Sequence, residues 1–284
     1  MTAVAVIGIG DMGAEIVPHL VSAGHEVTAF DPVPERLDRA RDAGAEAASS
    51  PAAAARGADV VLGLVMAEDI PAAYLAADGI LAGTSSGSVV LIGSTTTPTA
   101  VEGINAQAPD GVAVLDAPMV GGVRYAREKS LTFLVGGPER TVAVVEPVLT
   151  SLGKVRHVGD FGAGVAYKLI TNVAIMAAEA GIREALDLAD VLGADYGTAL
   201  DLMSAGPLGA VVSRALDTSN PRPLRRSAED DDALLSAVHD SGKLLPISTA
   251  GRKRLWEAVN TTPGFEPDFV DLTRKTTSRP GHRP

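Results

Sequence analysis

Apolar residues fall into two kinds of run along this chain. In the first half they form short, β-branched stretches: Val4–Ile7, Glu26–Phe30, Asp59–Val65, Val89–Ile92, Val112–Asp116 and Leu131–Val135. Runs of this length and branching predict strands. Between them, Ala14–Ala23, Pro34–Ala43 and Ile70–Leu75 predict helices. Strand and helix in alternation imply βαβ units, hence a parallel, doubly wound sheet covered on both faces. The pattern changes near Gly159-Asp160-Phe161-Gly162-Ala163-Gly164. From Val165 to about Leu192 there is no proline and one internal glycine, Gly181, so the run predicts a single long, buried helix. The chain stays helical in pattern through Trp256, with breaks at Gly206-Pro207 and Asn220-Pro221-Arg222-Pro223. Thr261–Pro284, rich in Pro, Thr, Gly and Arg, predicts a loose tail. The expected class is α/β followed by all-α: a sheet domain over residues 1–160, a helical domain over 161–260 and the tail.

Composition narrows the chemistry. The chain has 284 residues, 46% of them hydrophobic and 21% charged, which is globular rather than disordered. A net charge of −11 argues against a nucleic-acid partner. There is no cysteine, so disulfides, thiolate catalysis and cysteine zinc sites are excluded. His19, His25, His157, His239 and His282 lack metal-ligand spacing, so no metal is expected. Met1–Ile9 is short and carries no Lys or Arg ahead of it, so it reads as a first strand and not a leader. Charges and Gly or Pro breaks interrupt every stretch of about 18 apolar residues, so no membrane span is expected and the compartment is read as cytoplasmic. A fixed-period repeat and a Gly-x-Ser-x-Gly elbow are both missing, which removes solenoids and serine hydrolysis.

The first strand runs into Gly8-Ile9-Gly10-Asp11-Met12-Gly13, and a helix follows. In a dinucleotide loop the first glycine makes the tight turn, the second admits the pyrophosphate, and the third lets helix pack on strand. The helix N-terminus then offers free N–H groups to phosphate. The second strand ends at Asp31, 18 residues beyond Gly13 (31 − 13), where a carboxylate binds the adenosine ribose hydroxyls and repels a 2′-phosphate. Together these predict a Rossmann-type domain that takes NAD in preference to NADP.

Three segments in order resemble the β-hydroxyacid dehydrogenase family: the Gly8–Gly13 loop with its Met12, Asp116-Ala117-Pro118-Met119-Val120-Gly121-Gly122, and Gly162-Ala163-Gly164-Val165-Ala166-Tyr167-Lys168-Leu169-Ile170-Thr171-Asn172. Ser94-Thr95, with Pro98 three residues on, is a fainter match, and the likeness spans about residues 3 to 260. It implies reversible hydride transfer between a nicotinamide and a small β-hydroxy acid or its semialdehyde. Lys168 would be the general acid/base and Asn172 would hold the substrate in register. Val65, Met66 and Thr95 join the cofactor set, Met119–Gly122 the substrate set, and the helical domain would build a homodimer or larger homo-oligomer. Apart from the resemblance, Lys168 and Asn172 are four apart and share a helix face. A lysine in an apolar helix also has its pKa lowered by desolvation, toward values useful in proton transfer.

Several positions depart from the family pattern. Val120 stands where the family has a carboxylate-binding serine, and Glu229-Asp230 where it has Lys-Asp. Lys129 replaces a turn glycine and Ile92 an aspartate. Arg124, just past Gly121-Gly122, is either a replacement anion contact through its guanidinium fork or a solvated loop arginine. Glu229–Asp232 is either a changed pocket or, with Ser227 as N-cap, a first helical turn rich in acids. Two rivals stay open: an imine reductase-like enzyme, which shares this architecture, and an inactive dinucleotide-binding sensor or scaffold.

Overall fold

The structure is a computed structural model and describes residues 1–220, residues 223–260 and Pro267. The expected tail therefore lies outside the described residues, Pro267 apart. Two compact units emerge, Met1–Lys168 and the chain from Leu169 onward, with the boundary inside a helix rather than near residue 160.

The first unit contains β1 (Ala3–Ile7), β2 (Glu26–Phe30), β3 (Glu46–Ala47), β4 (Val60–Gly63), β5 (Val89–Ile92), β6 (Ala113–Asp116), β7 (Met119–Val120), β8 (Leu131–Gly136) and β9 (Gly153–Gly159). Among the described residues one sheet runs β3-β2-β1-β4-β5-β6-β8-β7, with β9 paired to β8. From β3 to β6 every pairing is parallel, while β8 is antiparallel to β6 and β7. The order 3-2-1-4-5-6 belongs to the doubly wound dinucleotide fold. Strands β4 and β5 are buried at every position, so Val60-Val61-Leu62 and Val89-Val90-Leu91-Ile92 carry no alternation.

Connecting helices are α1 (Asp11–Ser22), α2 (Pro34–Asp42), α3 (Pro51–Ala55), α4 (Ile80–Gly83), α5 (Pro98–Asn105), α6 (Val123–Arg127) and α7 (Glu139–Thr150). Helix α1 buries Ile16, Val17 and Leu20 against the sheet and starts three residues earlier than the alanine run suggested. Ile70–Leu75, expected as an α-helix, winds as a π-helix over Pro71–Leu75. The wider turn accompanies burial of Tyr74, whose hydroxyl occupies the space a side chain at Gly63 would need. Burial pushes that phenol above its ordinary range.

Helix α8 (Ala163–Leu192) leads into the second unit, which continues with α9 (Tyr196–Ser204), α10 (Gly209–Leu216), α11 (Leu224–Val238) and α12 (Pro246–Asn260). Ile182 and Leu186 pack with Leu200 and Val212, and α11 meets α12 through Leu224, Ala228, Leu255 and Val259. By length and composition α8 is long and apolar enough to cross a membrane, although Lys168, Glu179 and Gly181 interrupt its apolar run. It nonetheless buries Glu179 and Arg183. Arg183 pairs with Asp187 on the next turn and reaches the Tyr196 hydroxyl at 3.4 Å, while Arg254 also engages Asp187. These contacts tie one face of α8 to neighbouring helices, while Ile170, Leu188, Val191 and Leu192 are exposed, so the helix expected to be buried throughout is buried on one side only.

Candidate active site

The parallel strands bring their carboxyl ends to one edge of the sheet. Ile7 is in register with Phe30 and with Gly63, Gly63 with Ile92, and Ile92 with Asp116. Immediately beyond these ends come the segments singled out from the sequence: Gly8–Gly13, Asp31, Val65-Met66, Thr95 and Met119–Gly122. Ligands of doubly wound sheets bind at this edge. Backbone bonds hold the loops there: Gly8 donates to the Phe30 carbonyl at 2.9 Å, Leu64 to Ile7 at 2.7 Å and Ala117 to Ile92 at 2.9 Å. The buried Ser94 hydroxyl donates to the Val65 carbonyl at 2.6 Å, joining two of the loops.

Each of the three loop glycines has a different reason to be glycine. Gly8 has φ +97°, and a Cβ there would lie 2.6 Å from the Leu64 carbonyl oxygen. At Gly13 a Cβ would sit 2.1 Å from the Gly8 carbonyl oxygen, so this glycine allows α1 to close on β1. Gly10 is different: its φ is −71° and a Cβ would meet nothing within 4 Å. Nothing among the described residues demands glycine there, which is what a ligand approaching the backbone would require. As N-cap of α1, Gly10 offers no side chain to the first-turn N–H groups, and a helix N-terminus of this kind favours an anion. Ile9 is buried, Met12 packs on the core, and Asp11 points outward at the helix start. The arrangement fits a dinucleotide pyrophosphate.

Asp31 is only 3% exposed and does more than await a ribose. One carboxylate oxygen accepts from Ile9 N at 2.8 Å and the other from Val33 N at 2.9 Å. It thus clamps the glycine loop to the β2–α2 turn while retaining lone pairs for a further donor. Arg36, half-exposed, places its guanidinium 3.4 Å from both oxygens. The sequence pointed to Asp31 but passed over this cation, which lies five residues downstream across a turn.

In the segment expected to meet the substrate, Met119 is buried and Val120 exposed on β7. Gly121 has φ +117°, with Tyr125 and Leu131 crowding its missing side chain, and Gly122 opens α6. Arg124, on α6, lies 5.1 Å over the Tyr125 ring and 3.9 Å from Glu128. Arg127 at the end of α6 binds Glu15 of α1 at 2.7 Å, tying α6 to the helix that follows the glycine loop.

Sequence reasoning left Asp116 without a role of its own. Fully buried at the end of β6, it accepts Gly162 N on one oxygen and Val165 N on the other, both at 2.7 Å. The start of α8 is thereby attached to the carboxyl edge of the sheet, and Lys168, partly exposed, stands three residues past Val165. Asn172, one helical turn further, is 1% exposed, and its amide nitrogen has no hydrogen-bond partner among the described residues. No local signal marks a cap 46 residues away; the one hint is a lone carboxylate ending an apolar strand.

The second unit corrects one reading. Ser227 is not an N-cap, because α11 begins at Leu224 with Pro223 as its cap. Ser227 and Asp231 are fully buried inside the helix, and Glu229 is half-buried in its second turn, not its first. The proline at 223 starts the helix before the serine, a choice consistent with proline's fixed φ. A shallow depression on α11 and α12, lined by Asp232, Arg252, Lys253 and Trp256, contains none of the residues named from the sequence. Among the described residues no group of three or more His, Asp or Glu is placed to hold a metal ion.

Residues 3–162 match the NAD binding domain of 6-phosphogluconate dehydrogenase. The chain is 36% identical to a 3-hydroxyisobutyrate dehydrogenase of Pseudomonas aeruginosa over 226 residues, covering 78% of this chain and 75% of the relative. It is 35% identical, with the same coverage, to an NAD-dependent L-serine dehydrogenase of that organism. Among solved structures, Mycobacterium tuberculosis 3-hydroxyisobutyrate dehydrogenase with L-serine superposes at a TM-score of 0.81 and 27% identity, over 96% of this chain and 98% of that one.

Proposed function

This chain belongs to the β-hydroxyacid dehydrogenase family and is a nicotinamide-dependent dehydrogenase acting on a CH–OH group, and from that premise we propose that it interconverts a small β-hydroxy acid and its semialdehyde, with NAD preferred. The observation that carries the reading is the attachment of the first turns of α8, with Lys168, to the sheet edge where the glycine loop opens. A bound nicotinamide supplies or accepts the hydride. Lys168 takes the hydroxyl proton during oxidation and returns it to the carbonyl oxygen during reduction. Asn172, with its unpartnered amide, holds the substrate in register with Lys168.

The backbone N–H groups of Gly121 and Gly122 face the substrate carboxylate. Val120 provides no hydroxyl, so Arg124 takes over the anion contact. A carboxylate at Asp31 disfavours a 2′-phosphate and supports NAD over NADP, and the charge of Arg36 tempers that preference. Exposed Leu188, Val191, Leu192 and Leu202 on α8 and α9 support assembly into a homodimer or larger homo-oligomer through the helical unit.

The test is nicotinamide turnover with 3-hydroxyisobutyrate, L-serine, their aldehydes, keto acids and cyclic imines, each with NAD(H) and NADP(H). β-Hydroxy acid turnover with a lower KM for NADH than for NADPH is expected. Turnover confined to imines would instead select the imine reductase reading, and NADH binding without turnover on any class would select the sensor. Lys168→Ala is expected to abolish turnover and leave NADH binding within twofold; retained turnover would refute the lysine's role.

A further inference from the structure

The Asp116 carboxylate spans two stretches that the chain keeps far apart. Its backbone ends β6 and continues directly into Ala117–Gly122, the substrate loop. Its side chain reaches the other way, to the start of α8, 46 residues on at Gly162 and 49 at Val165. Gly162 has φ +90°, so the chain arrives at the helix through a turn that glycine alone adopts easily. Within that entry, Ala163 N is taken by the Asp160 carbonyl, and Asp116 takes Gly162 N just before the helix and Val165 N within its first turn.

The space around this carboxylate is made for it. A Cβ on Gly136, its partner across the β6–β8 pairing, would lie 2.3 Å from one Asp116 oxygen. A Cβ on Gly164 would lie 2.8 Å from the other. Two glycines on separate elements thus leave room for a group with no exposure to solvent. A buried carboxylate in that position has to remain hydrogen-bonded, so it has one stable place, and the helix start is held with it.

We propose that Asp116 is the positioning residue for the proton-transfer group of this enzyme: its carboxylate caps α8 from the far side of the sequence and sets where Lys168 stands relative to the substrate loop. Lys168 lies three residues past Val165, less than one turn from the clamp, so movement at the clamp carries to its backbone. Proton transfer needs heavy atoms within about 3 Å. A shift of about 1 Å at that distance costs on the order of a hundredfold in rate without weakening cofactor binding. The inference rests on Lys168 being the acid/base, and the experiment separates the two.

The test compares Asp116→Asn, Lys168→Ala and Asp195→Ala with wild type in 3-hydroxyisobutyrate oxidation by NAD. Asn retains the shape but turns an N–H toward one of the two backbone donors. Asp195→Ala removes an exposed, local carboxylate cap from α9, where Asp195 accepts Thr198 N at 2.8 Å, and controls for the loss of a helix cap as such. Asp116→Asn is expected to lower kcat at least tenfold, keep NADH affinity within twofold and raise the solvent deuterium isotope effect on kcat. Asp195→Ala is expected to leave kcat and the isotope effect unchanged.

Wild-type kcat in Asp116→Asn, alongside a dead Lys168→Ala, would overturn the inference and spare the lysine. An active Lys168→Ala would instead sink the lysine reading first. If Asp116→Asn fails to fold, hydrogen exchange at Gly162 and Val165 in the wild-type protein decides. Protection matching the sheet core supports the clamp, and exchange at the rate of a frayed helix end refutes it.

Discussion

Replacing Gly10 by alanine separates folding from cofactor binding in a single residue. Gly10 has φ −71° and ψ −158°, an extended conformation that alanine adopts without strain, and its Cβ would meet nothing within 4 Å. As an N-cap, alanine is poorer than glycine by about 0.5–1 kcal/mol. Stiffening the unfolded chain returns about 0.4–1 kcal/mol. The two offset, so Tm should stay within about 3 °C of wild type. Gly13→Ala offers the contrast, since its Cβ would lie 2.1 Å from the Gly8 carbonyl oxygen and no flexible side chain can yield. Overpacking of that kind costs about 3 kcal/mol, or about 6–12 °C. Both variants should bind NADH at least tenfold more weakly, a loss of about 1.4 kcal/mol. Thermal melts with and without NADH, together with a fluorescence titration, measure both effects. Gly10→Ala that binds NADH within twofold of wild type would refute the claim that this glycine exists for the cofactor. A melting loss equal to that of Gly13→Ala would refute the claim that it does nothing for the fold.

Arg36→Ala removes the cation beside Asp31 and should raise the preference for NADH over NADPH in kcat/KM by roughly fivefold, about 1 kcal/mol for a half-exposed pair; an unchanged ratio would take Arg36 out of cofactor choice. Val120→Ser restores a hydroxyl worth about 1 kcal/mol, so KM for a carboxylate substrate should fall by about fivefold. Identical KM values would place the substrate carboxylate elsewhere. Tyr74→Phe deletes a buried hydroxyl that has no hydrogen-bond partner among the described residues, so stability in urea at pH 7 should be unchanged or higher. Because burial raises the phenol's pKa in the folded state, wild type should lose stability as pH rises above about 10, while the phenylalanine variant should not. Parallel alkaline losses in the two proteins would contradict that assignment.

Much of the first unit was legible because its signals are local. A strand of four to six β-branched residues, a glycine that must turn and an acid at the next strand end each act over a few residues. The apolar run from Val165 likewise announced α8. Other features were hidden for matching reasons. The two-residue strands β3 and β7 have no periodicity to detect, and α6 is five residues long. The π-turn at Pro71–Leu75 differs from an α-helix in hydrogen-bond register, which residue types do not encode. Ser227 looked like a cap because serine favours that position, yet the helix starts three residues earlier, after Pro223, and Ser227 is buried in its first turn.

The sequence by itself determined that a dinucleotide loop stands at the end of the first strand and that a lysine and an asparagine share a face of one long helix. Backbone preference and residue spacing within a turn or two are sufficient for both. Only the tertiary structure decided that Asp31 clamps the loop it follows, that Arg36 stands over its carboxylate, and that Asp116 holds the start of α8 from 46 and 49 residues away. Those contacts exist because parallel strands deposit their carboxyl ends along one edge, which makes neighbours of residues that no local pattern connects. A buried carboxylate among them then has to find its donors there, and it meets that need at the start of α8.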